Sequence, residues 1–317
     1  MKTQIMLDLE TLGNKPGSVI VTAPDRDVLT LESVMPPERS AEAESGGGVV
    51  LHRIVRSPSI SVFSTGGGTQ STAIAALIVQ GKLPKPDYCI ISDTGRENPK
   101  TWQYLNAVVA PALERIGLTV HRACKAKYGQ RGYQEVFGNN GTLIIPAYTN
   151  ASGEIGKLSA FCSDKWKKVV TNNFMSREHG LTRSKYCKWI GYSLDETKRV
   201  LKMQKGYEWR TGLLRFPLVH DVPMRRHECV KIVEAIGWPP PPRSRCWMCP
   251  HQSDAEWAEI KNDYPELFEQ ACNLDETMRQ RDPNAYLHST IKPLRDANLT
   301  APDDLFSGGC PSGECFL

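Results

Sequence analysis

A β-rich run that leads through a glycine turn into an apolar helix constrains the fold more than any other feature of the sequence. Residues 60–63 favour a short strand, the turn follows at once, and residues 73–80 favour a helix that ends at Gly81. A second strand, a helix and a third strand are expected at residues 88–92, 99–116 and 118–123. Strands and helices that alternate in this way predict an α/β fold with a doubly wound parallel sheet.

The second half of the chain is predicted to be mainly helical. Helical patterns occur at residues 164–176, 194–203, 227–236, 254–262 and 266–281. They follow a stretch at residues 125–156 that is rich in Gly, Asn and Tyr. We expect this stretch to form a mobile flap.

The turn at residues 66–71 has the composition of an anion-binding site. Glycines allow backbone amides to approach a phosphate, and the N-terminus of the following helix adds a favourable electrostatic field. The turn is not a Walker A loop, because no Gly-Lys-Ser/Thr follows it. The residues expected to bind the anion are Ser64, Gly66, Gly67, Gly68, Gln70 and Ser71.

A second polar segment follows the strand predicted at residues 88–92. It consists of Asp93, Thr94 and Gly95. In an open parallel sheet, ligands bind at the carboxyl ends of neighbouring strands. We therefore expect this segment to lie beside the glycine turn and to contribute to the same site.

The glycine turn resembles the PP-loop of ATP pyrophosphatases and phosphoadenylyl-sulfate (PAPS) reductases, whose pattern is Ser-Gly-Gly-x-Asp-Ser. The aligned residues here are Gly-Gly-Gly-Thr-Gln-Ser. Gly66 therefore stands in the place of the first Ser, and Gln70 stands in the place of Asp. The change at Gln70 removes a carboxylate from the neighbourhood of the phosphates and weighs against metal-assisted cleavage of ATP.

The resemblance covers about residues 59–317. Asp93-Thr94-Gly95, with Thr101-Trp102 after it, is similar to the Asp-Thr-Gly and Glu-Thr-Tyr motifs of the reductases. Residues 161–167 resemble their Cys-Cys-x-x-Arg-Lys segment, and residues 190–199 resemble their Gly-x-Arg-x-x-x-Ser…Arg block. The likeness is closest to reductase-like proteins of phages and to the ATP pyrophosphatases of DNA phosphorothioation.

The resemblance implies a PP-loop fold of the adenine nucleotide α-hydrolase type, with a helical, cysteine-bearing part at about residues 240–317. It implies ATP or an adenosine phosphosulfate as the nucleotide, and a thiol reductant or sulfur donor as a partner. A homodimer is compatible with it. It also adds Lys165 and Arg199 to the nucleotide-binding residues, since cationic side chains suit phosphate or sulfate.

Closely spaced cysteines indicate metal or redox chemistry in a reducing compartment, and this chain has ten cysteines. Cys246 and Cys249 have the Cys-x-x-Cys spacing of zinc and iron–sulfur ligands. Some sulfonucleotide reductases hold a 4Fe-4S cluster with a Cys-Cys pair and a Cys-x-x-Cys pair, but this chain has only Cys162 at the first place. Three interpretations of these cysteines therefore remain: they bind a 4Fe-4S cluster, they bind a zinc ion, or they form a pair without a metal. The candidates for a fourth ligand are Cys315, Cys310 and Cys187.

Cys315 has a second candidate role, as a catalytic nucleophile. The reductases carry a nucleophilic cysteine in a Glu-Cys-Gly segment of a mobile tail, and Glu314-Cys315 is similar, with Phe316 in the place of Gly. As a thiolate, Cys315 could attack the sulfur of a bound sulfate group. The same thiol cannot be a metal ligand and a free nucleophile at once.

Length, composition and net charge bear on whether the chain is a nucleic-acid-binding, membrane or secreted protein. The 317-residue chain is 40% hydrophobic and carries a formal net charge of +4. This charge suits a phosphate-bearing ligand but is far below the basic excess of nucleic-acid-binding proteins, so a nucleic acid is neither demanded nor excluded. The apolar runs are too short to cross a bilayer and no signal-peptide pattern is present, so we expect a cytoplasmic protein with no membrane partner.

Residues 1–58 are expected to form a flexible arm and linker before a PP-loop domain at residues 59–317, because residues 22–48 are rich in Pro, Glu, Ser and Gly. Asp8 and Glu10 lie in a segment that resembles the first motif of DEDD 3′–5′ exonucleases, which bind two metal ions. Such an enzyme needs further carboxylates from later strands, and the segment before residue 59 is too short to contain an exonuclease domain. We interpret the segment as an inactive fragment.

Three functions are therefore compared. The first is an enzyme that acts on an adenylyl compound, either by reducing a sulfonucleotide or by adenylating a substrate for sulfur transfer. The second is a non-catalytic nucleotide-binding protein, which Gly66 and Gln70 allow. The third is a 3′–5′ exonuclease, which rests on Asp8 and Glu10 alone.

Overall fold

The computed structural model describes residues 58–299, together with the backbone of three short strands before them. In chain order the strands are β1 (Ile20–Thr22), β2 (Val28–Leu31), β3 (Ile54–Arg56), β4 (Ile60–Thr65), β5 (Tyr88–Asp93), β6 (Val120–Cys124), β7 (Ala147–Thr149), β8 (Gly156–Leu158), β9 (Tyr186–Ile190), β10 (Leu214–Arg215) and β11 (Ala285–Tyr286).

The α-helices are α1 (Thr69–Val79), α2 (Pro99–Tyr104), α3 (Ala110–Arg115), α4 (Lys125–Tyr128), α5 (Val169–His179), α6 (Thr197–Gln204), α7 (Tyr207–Arg210), α8 (Pro217–His220), α9 (Arg226–Glu234), α10 (Asp254–Asp263) and α11 (Pro265–Arg281). A π-helical turn at Leu105–Val109 joins α2 to α3, and another at Ser163–Lys168 leads into α5. Three 3-10 turns lie at Arg183–Lys185, Leu194–Glu196 and Leu294–Asp296.

The central sheet has five strands, all parallel, in the order β10-β9-β4-β5-β6. Helices cover both of its faces because neighbouring residues of each strand point to opposite sides. Phe63 of β4 packs in one buried cluster with α1 and α9, whereas Val62 packs in another with α5. The protein therefore has a doubly wound α/β fold, as the sequence predicts at this level of detail.

Strand β9, next to the central strand β4, is absent from the sequence-based prediction. Its sequence is Tyr-Cys-Lys-Trp-Ile, and Lys188 interrupts an otherwise apolar run. In the structure Lys188 is only 6% exposed, and its ammonium group donates to Oδ1 of Asn172 on α5, at 3.1 Å. Lys188 can be buried because an acceptor on another element is close to it. A pattern of apolar residues does not reveal such a partner.

The stretch predicted to be a mobile flap is packed. Val136, Ile144 and Ile145 are buried in a cluster with residues of α10 and α11, and β7 pairs with β8 and β11 in a small antiparallel sheet. Its Gly and Asn residues form turns between these contacts rather than a free loop. The prediction of a flap is therefore wrong for this part of the stretch.

The N-terminal strands β1, β2 and β3 form an antiparallel sheet of their own. β2 lies within the range predicted to be a linker, so regular structure occurs there. Asp8 and Glu10 lie outside the described residues, and so do Cys310 and Cys315. Across the part of the chain that the structure describes, no helix has the length and apolar character needed to cross a bilayer.

Candidate functional site

The glycine turn lies where the strand order of the central sheet reverses. From β4 the chain passes to β5 and β6 on one side and later returns to β9 and β10 on the other side. The loops that follow β4 and β9 therefore leave the sheet at its topological switch point, where ligands bind in open α/β sheets. The glycine turn follows β4, and residues 191–193 follow β9.

Two of the three glycines are closely approached by other parts of the protein. Gly67 has a φ of +70°, and a Cβ there would lie 2.7 Å from Cγ2 of Thr101. A Cβ at Gly68 would lie 3.2 Å from Cβ of Ser244. At Gly66, by contrast, a Cβ would meet nothing within 4 Å. Gly66 is therefore the glycine that faces open space.

The first turn of α1 supplies donors to this space. The first intrahelical bond runs from the amide of Thr72 to the carbonyl of Gly68, at 2.9 Å, so the preceding amides have no acceptor within the helix. The hydroxyl oxygens of Thr72 and Thr101 are buried and have no hydrogen-bond partner among residues 58–299. Buried polar atoms are rarely unpaired, so these two hydroxyls point to a polar ligand or to water.

The loop after β9 is in contact with this turn. A Cβ at Gly191 would lie 3.3 Å from the amide nitrogen of Ser71. Nε2 of Gln70 donates to Oε2 of Glu196 at 3.1 Å, and Oε1 of Glu196 accepts from Arg199 at 2.6 Å. Burial raises the pKa of Glu196, and the neighbouring Arg199 opposes that rise. The structure thus brings Gln70, Ser71 and Arg199 together.

Asp93 is held by two partners within the protein. Its Oδ1 accepts from the amide of Gly95 at 2.7 Å, and its Oδ2 lies 2.7 Å from Nη2 of Arg122. The Arg122 guanidinium in turn lies 4.1 Å from the centre of the Trp102 ring. Asp93 therefore fixes the loop after β5, whose Gly95 has a φ of +72°.

A cavity of about 340 Å³ opens beside this loop, at the carboxyl ends of β5 and β6. Arg96 and Lys125 lie on its wall, together with the ring of Trp247, whose centre is 5.8 Å from the Arg96 guanidinium. Burial lowers the pKa of Lys125, and the charge of Arg96 lowers it further. Two cations and an aromatic ring suit an anionic ligand with an apolar part.

Two of the predicted metal ligands lie at the same buried cluster. Cys162 and Cys246 both pack against the buried cluster of α10 and α11. Burial, with a smaller contribution from Cys249, raises the pKa of Cys162 to about 12. Burial also raises the pKa of Cys246, with Glu97, Cys249 and Cys162 contributing in the same direction. Cys249 follows in a turn in which its amide donates to the carbonyl of Cys246, at 3.0 Å.

The other candidate ligands do not join this group. Cys187 lies in β9, within the buried cluster of α1 and α9. Cys310 and Cys315 lie outside the described residues, so the nucleophile role of Cys315 stays a prediction. Among residues 58–299, no three or more His, Cys, Asp or Glu side chains are arranged so that they could hold a metal ion as they stand.

Lys165 and Lys167 both contact residues outside the glycine turn. Lys165 donates to Oε1 of Gln130 at 3.3 Å and lies 4.5 Å from the centre of the Tyr133 ring. Nζ of Lys167 is 3.3 Å from Oε1 of Glu97. Burial lowers the pKa of Lys167, but Glu97, Cys246 and Cys162 raise it by more, so the net shift is upward.

Sequence reasoning missed three residues of the site. The hydroxyl of Ser244 donates to the carbonyl of Gly66, Glu196 accepts from Gln70, and Glu97 pairs with Lys167. Ser244 lies two residues before Cys246, and Glu97 lies two residues after Gly95. Each is thus close in sequence to a recognised motif, although its partner is distant.

Comparisons with known proteins return no match. No protein-family model matches the chain. Neither the curated proteins nor the solved structures include a significant match.

Proposed function

We propose that this chain is an adenine-nucleotide-binding enzyme of the PP-loop, PAPS reductase-like type. The observation that carries the proposal is the position of the glycine turn, which runs from β4 into the open N-terminus of α1 at the switch point of a parallel sheet. This is the arrangement that binds phosphate in α/β proteins. The sequence resemblance supplies adenine as the base.

The phosphates would lie over the first turn of α1. The amides of Thr69, Gln70 and Ser71 would donate to them, and Arg199 would add a positive charge from the first turn of α6. The cavity at β5 and β6 adjoins Asp93-Thr94-Gly95, so the remainder of the nucleotide or the acceptor would extend in that direction.

Two reactions are compatible with this site. In the first, a sulfonucleotide is reduced: the thiolate of Cys315 attacks the sulfur of the sulfo group, and the nucleoside phosphate leaves. A thiol reductant then attacks the sulfur of Cys315, sulfite leaves, and a second thiol of the reductant frees the cysteine as the reductant is oxidised to a disulfide. In the second, an acceptor attacks the α-phosphate of ATP, pyrophosphate leaves, and a sulfur donor displaces the adenylate. The thiols of Cys162, Cys246 and Cys249 would hold a 4Fe-4S cluster or zinc beside the site.

The binding part of the proposal is tested at Gly66, because its Cβ position is open and the fold tolerates a side chain there. Isothermal titration calorimetry with ATP and with PAPS is expected to show binding by the wild type. Gly66→Val should weaken it at least tenfold, roughly the loss of one or two phosphate contacts. Gly156→Ala serves as the control, because a Cβ there would meet only Thr149, its methyl at 3.6 Å and its carbonyl oxygen at 3.9 Å.

Equal affinity in the wild type and in Gly66→Val would show that the turn binds no phosphate. The products separate the two reactions, since sulfite appears from PAPS only in the reductase, and pyrophosphate appears from ATP only in the adenylating enzyme. Binding without either product would favour the non-catalytic alternative, which the replacement of Asp by Gln70 supports.

A further inference from the structure

The cavity at the carboxyl ends of β5 and β6 is lined by a different part of the chain from the glycine turn. Its volume is about 340 Å³, and the described residues that line it include none of residues 66–71. Pockets of this size hold small organic molecules. Its wall comes from the loop after β5, from α4, from Trp247 and from α11. The cavity therefore lies between the central sheet and the C-terminal helices.

The loop after β5 and the segment around Trp247 are joined by backbone hydrogen bonds. The amide of Trp247 donates to the carbonyl of Arg96 at 2.9 Å, and the amide of Asn98 donates to the carbonyl of Arg245 at 2.8 Å. These bonds fix the two segments against each other without a ligand. A wall that is already ordered loses little conformational freedom when a ligand binds.

The carboxylate in the wall is already engaged. Asp93 accepts from the amide of Gly95 through Oδ1, and its Oδ2 pairs with the guanidinium of Arg122. The charged groups that remain to meet a ligand are those of Arg96 and Lys125. Guanidinium and ammonium groups donate hydrogen bonds and accept none.

The positive charge of these two groups is not neutralised inside the cavity. The ammonium group of Lys125 donates to the carbonyl of Gln134 and lies 4.5 Å from the centre of the Trp166 ring, and both of these partners are uncharged. Arg96 pairs with Glu135, whose side chain is 77% exposed. An ion pair with a partner in solvent contributes little. Burial and the charge of Arg96 lower the pKa of Lys125, which agrees with an excess of positive charge here.

We propose that this cavity binds a small organic anion, with its carboxylate, sulfonate or phosphate group against Arg96 and Lys125 and its apolar part against Trp247 and Leu267. The anion would be the acceptor substrate. Its role as the acceptor rests on the proposed function, whereas the binding itself does not.

The polar groups of the cavity suit such an anion better than they suit adenine. Adenine donates through its exocyclic amine and accepts through its ring nitrogens, so it needs an acceptor in the wall. The oxygens of Asp93 are engaged, and Oγ1 of Thr94 accepts from the amide of Arg96 and faces Glu97. The amine of an adenine would therefore face cations. The cavity is consequently assigned to the acceptor and not to the base of the nucleotide.

The test uses benzenesulfonate as the probe and the full chain, with affinity measured by ligand-observed NMR titration. We expect binding by the wild type with a Kd of about 1 mM or below. Benzyl alcohol has a ring without a charge, and inorganic sulfate has a charge without a ring, so both should bind at least about tenfold more weakly.

Two variants remove the cations one at a time. Arg96→Gln and Lys125→Met should each weaken the binding of benzenesulfonate by about tenfold or more, because hydrogen bonds to charged groups are the stronger ones. Arg131→Gln is the matched control, since Arg131 is exposed and does not line the cavity, and it should bind the probe like the wild type.

Gln270 gives a test that does not disturb the core, because this residue of α11 is exposed and lines the cavity. Gln270→Lys should tighten the binding of benzenesulfonate and Gln270→Glu should weaken it, each by about two- to fivefold at low salt. These two variants decide the matter if Arg96→Gln or Lys125→Met does not fold.

The proposal is overturned if the wild type does not bind benzenesulfonate, if benzyl alcohol binds as tightly, or if the charge variants that fold all bind like the wild type. Gly66→Val should leave the affinity for benzenesulfonate unchanged, and a loss there would place the probe at the glycine turn and overturn the proposal as well. ATP is titrated into the same samples. Absence of ATP binding together with binding of benzenesulfonate in the cavity would contradict the nucleotide proposal alone.

Discussion

The side-chain amide of Gln70 donates a hydrogen bond to the carboxylate of Glu196, with 3.1 Å between Nε2 and Oε2. Gln70 lies in the first turn of α1, and Glu196 lies in the loop after β9, so this bond crosses the switch point of the sheet. Oε1 of Glu196 is bound to Arg199 at 2.6 Å. A carboxylate is therefore present beside the glycine turn, although residue 70 itself is not acidic.

This pairing predicts how the site responds to an acidic residue at position 70. Gln70→Asp should place a second carboxylate against Glu196, which is partly buried, so the two charges repel each other. We expect a loss of about 1–3 kcal/mol in the free energy of unfolding, since the buried acceptor also loses its donor. ATP affinity should fall as well. Urea denaturation and calorimetry measure the two effects.

The double variant Gln70→Asp/Glu196→Gln is the control. It exchanges the two side-chain types, so one carboxylate and one amide again face each other, and most of the lost stability should return. If Gln70→Asp is as stable as the wild type, the bond between the two side chains contributes nothing. If the double variant is no better than the single one, the loss has another cause.

The sequence predicts the part of the fold that depends on local patterns. Strands β4 and β5 and helix α1 are recognisable because each contains an apolar run that is bounded by turn residues. Strand β9 is not, because Lys188 becomes compatible with the core only through Asn172 on another element. Burial of a polar residue depends on a partner, and a single sequence window does not contain that partner.

The same reason explains which residues of the site were found. The glycine turn is contiguous, so its composition alone indicates an anion site. Gln70 and Glu196 are 126 residues apart, and Ser244 and Gly66 are 178 residues apart. Contacts over such distances depend on the topology of the sheet. The close packing at Gly67 could not be predicted either, because its neighbour Thr101 belongs to another helix.

The N-terminal segment is predicted to be dispensable for the core. Residues 22–48 are rich in Pro, Glu, Ser and Gly, so this part of the segment has little apolar surface to bury. Deletion of residues 1–50 should therefore leave the melting temperature and the ATP affinity unchanged, as circular dichroism and calorimetry would show. A clear fall in melting temperature would mean that the segment belongs to the core. Metal-dependent degradation of DNA that is lost in Asp8→Ala would instead support the exonuclease alternative.

Lys188 makes stability depend on pH in a defined direction. Its pKa is lowered from 10.5 to about 7, mainly by burial, with the charges of Arg183 and Lys168 acting in the same direction and Glu208 opposing them. Between pH 7 and pH 10 the unfolded chain therefore holds a proton that the folded protein lacks. The free energy of unfolding consequently rises with pH, by at most about 1.4 kcal/mol per pH unit.

The variant Lys188→Met should remove this dependence on pH and should stabilise the protein most below pH 7. Asn172 keeps a donor, because the hydroxyl of Tyr186 lies 2.9 Å from its Oδ1. Urea denaturation of the wild type, Lys188→Met and the exposed control Lys82→Met across this range measures the difference, and parallel curves for all three would show that Lys188 stays charged in the folded protein.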